Sequence, residues 1–230
     1  FIFNNMVKLT IQGKAYQMPK RLSIEQWRAL LKFDYHSVED WPKIMALILE
    51  EEVEVFKRAT VESLTLAISF VIALMNQRTE SKVRDFNTIL FGEFVDLDIY
   101  VVQGIEKHIE DMLAILSPDL YWSDDALWVL DQYQQFRIHT YRQYSGLFGL
   151  NEPRDDDEDL ETIDAKKVAK GWYRIIVDLA DNDVLNIDAI TEQPLKKILN
   201  FMALKKEKQM EENFKQLQQK RQHDLSRNRK

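Results

Sequence analysis

The sequence predicts a mainly α-helical protein: a multi-helix globular domain with a small N-terminal β-hairpin and a long C-terminal helical arm. Three observations carry this. Six glycines and five prolines in 230 residues leave few tight turns. Apolar side chains recur at spacings of three and four along most of the chain. A hydrophobic content of 45% and an aromatic content of 11% supply a core.

The one exception to helical periodicity comes first. In 7–18, Val7, Leu9 and Ile11 alternate with Lys8, Thr10 and Gln12; Gly13 and Lys14 are expected to make the turn, and Ala15, Tyr16 and Met18 return. Pro19 ends the second strand. A lone hairpin is marginal, so it packs on its own helices or pairs with strands of other copies. Ser23 and Gln26 form a capping box that opens a helix with Trp27, Leu30, Leu31 and Phe33 inward. Trp41-Pro42, after Ser37 to Asp40, opens a second helix with Ile44, Leu47, Ile48 and Val55 as its stripe. Glu50, Glu51, Glu52 and Glu54 read as its solvated end. Thr60 and Ser63 open a third, whose run LTLAISFVIALM over 64–75 is too short to span a bilayer and reads as a buried core helix. The polar residues 76–88 read as a loop.

The block 91–150 has the densest apolar pattern, and the rest of the chain is expected to organise around it. One helix is predicted from about Glu93 to Leu116, with Gly104 inside it allowing a close backbone approach. Ser117-Pro118 breaks it. Ser123, Asp124 and Asp125 are expected to cap the next helix, which runs to about Leu147. Its aromatics at 128, 133, 136, 141, 144 and 148 form a core face interleaved with Arg137 and Arg142. Trp122, Trp128, Tyr133 and Tyr141 are expected to be buried. Residues 151–164 are a charge run, eight acids against Arg154, and read as an exposed loop. A short amphipathic helix follows over 166–179, with Trp172, Ile175, Ile176 and Leu179. Thr191 and Pro194 begin the last helix, whose stripe of Leu195, Ile198, Leu199 and Met202 thins to Met210, Phe214 and Leu217. The helix therefore leaves the core near Lys205. The organisation read from this is a hairpin-plus-helix domain over 1–150, an acidic loop over 151–164, a helical extension over 165–204 and a basic arm over 205–230.

The net charge of -7 conceals an asymmetry. Residues 196–230 hold eleven Lys or Arg against four Asp or Glu, a local +7, so the remainder sums to -14. A basic tail on an acidic body fits contact with acidic protein surface, nucleic acid or a membrane face, or a solvated helix end. Beyond Phe214 the arm lacks the aromatics that stack bases, which makes nucleic acid a weak candidate. The expected partner-binding residues are Met210, Phe214, Leu217, Lys220 and Arg221. The start FIFNN has no secretory pattern, and Met6 reads as the natural initiator.

The chain has no cysteine, which excludes disulfides, thiolate metal sites and cysteine nucleophiles. His36, His108, His139 and His223 have no spacing that puts two ligands on one helix face. Asp96 and Asp98 are two apart and point about 200° from each other on a helix, so they read as first-turn acids rather than a carboxylate pair. Phosphate-binding and dinucleotide glycine patterns and the serine nucleophile elbow are absent. No catalytic residue, cofactor or metal is expected.

Several stretches resemble a known group. VKLTIQGKAYQMP followed by RLSIEQWRALLKFD resembles the start of tailed-bacteriophage tail assembly chaperones and related assembly proteins. ILFGEFVDLDIY with HIEDMLAILSPDLYW resembles a block of late proteins of contractile-tailed phages, in which a GxFxDLxxY phrase precedes a helix ending in an ILAIL-like run. The similarity covers 7–122. It implies protein–protein work without catalysis, on tail-tube, tape-measure or baseplate proteins and with a homo-oligomer as one form. The implied place is the host cytoplasm during assembly or the virion tail, with no membrane. Two readings follow, a tail assembly chaperone-like factor and a structural tail or baseplate virion component. A nucleic-acid-associated regulator using the basic tail is the alternative from another class.

Overall fold

The computed structural model describes residues 8–11, 13–148 and 165–227, with side chains to Arg221. Val7, Gln12 and the acidic run 151–164 lie outside the described residues. Two strands and eleven α-helices make up the regular structure described, joined by two short 3₁₀ turns. In chain order they are β1 Lys8–Ile11, β2 Lys14–Gln17, α1 Ile24–Leu30, α2 Trp41–Leu49, α3 Val53–Lys57, α4 Val61–Met75, α5 Phe91–Gln103 and α6 Ile105–Leu116, followed by α7 Ser123–Gln143, α8 Ser145–Phe148, α9 Ala165–Leu179, α10 Ile187–Thr191 and α11 Leu195–Arg227. The mainly α class with one N-terminal hairpin and a long C-terminal helix is what the structure has. Among the described residues, no helix is long and apolar enough to cross a membrane.

Contacts divide the chain into two compact units. The first comprises the chain up to Val83 together with Leu113–Gln132. Its hairpin pairs Leu9 with Tyr16 and closes with Ile11 opposite Lys14, so Lys14 belongs to the second strand and not to the turn. Gly13 takes the left-handed conformation there (φ 82°), which a side chain would strain. Leu9, Ile11, Tyr16 and Met18 are buried, and Tyr16 packs on Phe56 at 5.5 Å. The Ser23 capping box is present in both directions, each hydrogen bond 3.1 Å. Trp27 and Leu30 are buried, but Leu31 is exposed because α1 ends one residue before it.

The helix expected to run through Val55 stops at Leu49. Glu50 adopts the left-handed cap conformation (φ 54°, ψ 41°), and Val55 belongs to a separate helix, α3. The glutamates are thus a break rather than a helix end, and Glu51 pairs with Lys14 of the hairpin at 2.6 Å. Thr60 caps α4 through the Ser63 N–H. This apolar helix is one-sided rather than fully buried: Leu64, Ala67, Ile68, Val71, Leu74 and Met75 face inward while Leu66 and Ile72 are exposed. Asp124, expected as a cap, is instead a buried anchor. It accepts both contacts of the Arg21 Nε at 2.8 and 2.9 Å and the Thr79 hydroxyl at 2.5 Å. Trp122 is exposed, with the Arg21 guanidinium 5.2 Å over its ring.

The second unit comprises Arg84–Met112 and the chain from Tyr133. Here α9 and α10 pack on α5, and α11 packs on α5 and α8. The single helix expected over 93–116 is two, because Gly104 (φ 108°, ψ 116°) has a conformation outside any L-residue helix. The close backbone approach expected at Gly104 occurs at Gly92, where an added Cβ would meet Thr191 Cβ at 3.0 Å. Thr191 ends α10 rather than opening the last helix, its hydroxyl bonding back to Ile187 and Asp188.

Glu50 is exposed, so its side chain gives nothing that offsets the steric cost of its left-handed backbone. Glu50→Gly is expected to raise stability by about 1 kcal/mol. The readout is a higher urea midpoint at unchanged slope.

Candidate interaction surface

The second unit is built over a charged core. On α5, Phe91, Phe94, Val95 and Asp98 stand at i, i+3, i+4 and i+7, so the carboxylate falls on the same stripe as the three apolar side chains and is fully buried. Asp98 is therefore not a first-turn acid. Its two oxygens receive three donors: Arg137 Nε at 2.6 Å, Tyr141 Oη at 2.9 Å and Trp172 Nε1 at 2.7 Å. Arg137 and Tyr141 are one turn apart on α7, and the guanidinium also lies 4.8 Å over the Tyr141 ring. Trp172 comes from α9 and meets Phe91 and Phe94 edge-on at 5.9 Å. Burial, and after it the Asp98 charge, push the Tyr141 phenol well above its ordinary value. A carboxylate held by three donors acts as a fastener: it ties three helices, and most of its acceptor capacity is taken up in doing so. The sequence carried the signal, a lone acid at i+7 on an apolar stripe, and helix-dipole reasoning passed over it.

The same unit roots the last helix. Leu195 N–H bonds to Ile89 O at 3.0 Å and Phe91 N–H to Gln193 O at 2.8 Å, which fixes the start of α11 beside the start of α5. Leu195, Ile198 and Leu199 are buried, and Tyr144 donates to Asn200 Oδ1 at 2.7 Å. The last tethers are Lys205 to Asp178 at 2.8 Å and Lys206 to the Gly146 carbonyl at 2.6 Å. Every residue from Leu204 to Arg221 is exposed, so the helix leaves the core where the sequence places its exit.

All five expected partner-binding residues stand on this free stretch. Met210, Phe214 and Leu217 are 63%, 62% and 50% exposed, large values for side chains of their size. At about 100° per residue they fall within about 60° of one another, and Arg221 falls within the same sector. Lys220 does not join them; it sits about 90° away around the helix. The arrangement is a narrow apolar seam that ends in a guanidinium.

Among the described residues no cluster of His, Asp or Glu is placed to hold a metal ion. His108 stacks on Tyr100 at 4.8 Å with its Nδ1 3.1 Å from Asp111 Oδ2. No protein-family model matches the sequence, and neither a curated protein nor a solved structure matches it.

Removing the fastener strands its partners. Asp98→Ala is expected to cost roughly 3–5 kcal/mol, because the Arg137 charge is left largely buried and unpaired. Trp172→Phe keeps the ring packing and is expected to cost about 1.5–3 kcal/mol, one hydrogen bond to a charged group. Urea titrations of both variants check the order.

The raised Tyr141 phenol also sets an alkaline limit. The unfolded chain loses this proton first as pH climbs past about 10, the ordinary tyrosine value. The unfolded state then binds fewer protons than the folded one, and stability falls with rising pH. Tyrosinate absorbance of folded Asp98→Asn is expected to show Tyr141 titrating at lower pH than in the native protein, because the neighbouring negative charge is gone.

Proposed function

We propose that this protein is a bacteriophage morphogenesis factor that works by binding other proteins, a tail assembly chaperone-like protein whose α11 arm holds its partner. The observation that carries the binding role is the seam of Met210, Phe214 and Leu217, displayed on a helix that has left its own core. Three large apolar side chains at spacings of four and three are the anchor pattern of a helix that lies in a partner's groove. Arg221 at the end of the seam adds a charged contact that fixes direction. The resemblance of 7–122 to tail assembly proteins supplies the biological setting, and tail-tube, tape-measure or baseplate proteins are the partners it implies.

A non-enzymatic role is part of the proposal. Its support is that the most deeply buried carboxylates, Asp98 and Asp124, are already engaged by structural donors. The second reading, a permanent tail or baseplate component, uses the same seam in a lasting contact and places the chain in the particle.

The test is a pull-down from infected cells with the full chain as bait, beside mass spectrometry of purified particles. Tail proteins recovered with the chain, which is itself absent from particles, support the chaperone-like role; stoichiometric presence in particles replaces it with the structural one. Changing Met210, Phe214 and Leu217 together to Ser is expected to abolish recovery and leave the thermal transition unchanged, since all three are exposed. Full recovery with this variant would place the binding surface elsewhere, and recovery of no tail protein would overturn the phage reading.

A further inference from the structure

Two features of the second unit complement each other and are used by nothing described above. The first is the turn between α9 and α10. Asp181 and Asn182 both have left-handed backbones (φ 53° and 62°), a conformation that Asp and Asn accept more readily than other residues with a Cβ. Hydrogen bonds brace it: Asn182 N–H to Val177 O at 3.0 Å, Asp183 N–H to Ala180 O at 3.0 Å and Leu185 N–H to Asp183 Oδ1 at 3.0 Å. The result is a braced turn that presents Val184 and Leu185, 73% and 83% exposed, side by side. Asp181, Asp183 and Asp188, all exposed, flank them in the sequence and give the segment negative charge.

The second feature is a cleft of about 170 Å³. Phe86, Phe136, Tyr144 and Leu199 form its apolar walls, Lys196 and His139 stand among its lining residues, and no Asp or Glu does. Apolar cavities of about 150 Å³ hold a benzene-sized group, so this one has room for a leucine side chain.

We infer that the Val184-Leu185 turn of one copy docks in the cleft of a second copy of this chain. Size and charge both select this occupant. The turn offers two branched aliphatic groups on a segment that carries three exposed aspartates, and the cleft offers a partly apolar socket whose lining includes the Lys196 ammonium and no carboxylate. Bracing holds the turn in its displayed form before contact, which reduces the ordering cost of association. Each copy carries one turn and one cleft, so the contact is between unlike surfaces. Such contacts close into rings or extend as open assemblies. The inference does not depend on the phage reading, since turn and cleft lie on the same chain.

The test is sedimentation of the full chain over a range of concentrations at low salt. The native protein is expected to gain mass as concentration rises, and added salt to weaken the gain. Leu185→Asp changes an exposed side chain on the turn, and Gln143→Trp covers the cleft from an exposed lining position. Each is expected to raise the dissociation constant about tenfold or more. The deciding arm mixes the two: Leu185→Asp keeps a good cleft and Gln143→Trp keeps a good turn, so together they form a one-to-one heterodimer that neither forms alone. A native chain monomeric at its highest soluble concentration overturns the inference. So do variants that associate like the native chain, or a mixture that stays monomeric.

Discussion

The second unit depends on one buried negative charge. A carboxylate in an apolar interior is costly unless donors replace the water it has lost. Asp98 meets that demand with donors from two other helices, and each donor brings its own packing. Arg137 and Tyr141 fix the face that α7 turns toward α5. Trp172 fixes the register of α9, because an indole N–H reaches one acceptor from one position. Apolar surfaces alone tolerate sliding; a shared carboxylate does not. This fastener confers uniqueness more than net stability, since a buried pair recovers little beyond its own desolvation. The root of α11 inherits that definition, because its first turn is bonded to backbone groups on either side of Leu90, at the start of the same α5 that carries Asp98.

What the sequence made legible follows from how local the deciding force was. Caps acting within three residues were readable: the Ser23 box and the Thr60 cap stand where the residue types put them. So was the exit of α11, because a stripe that loses its apolar members has nothing left to bury. Breaks set by backbone conformation were not. Glu50 gives no compositional sign of a left-handed residue, and Gly104 reads equally as a tolerated helix interior until its φ is known. Charges used in the core were missed for the opposite reason. Asp98 and Asp124 each had a sufficient local explanation at a helix start, while their partners lie 39 to 103 positions away. Pairing at that separation leaves no local pattern to read. For the candidate seam, residue type and spacing were enough to identify Met210, Phe214, Leu217 and Arg221. Lys220 was grouped with them by sequence adjacency and is separated from them by the helix turn.

Why the free part of α11 stays helical bears on how it works. Starting an isolated helix in water is unfavourable, since the first turn fixes several residues for one hydrogen bond. Here the nucleus is supplied, because Leu195, Ile198 and Leu199 are packed before the helix leaves the core. Propagation then rests on good helix formers, chiefly Lys, Glu, Gln and Leu. The seam residues contribute almost nothing to this. Met, Phe and Leu at exposed positions hold no fold together, and Gln or Lys would serve the helix as well and the solvent better. The proposed partner surface would account for side chains that cost solubility and return no stability. The helix that carries them is already formed at its root, so a partner that covers the seam meets an ordered strip and does not have to fold one.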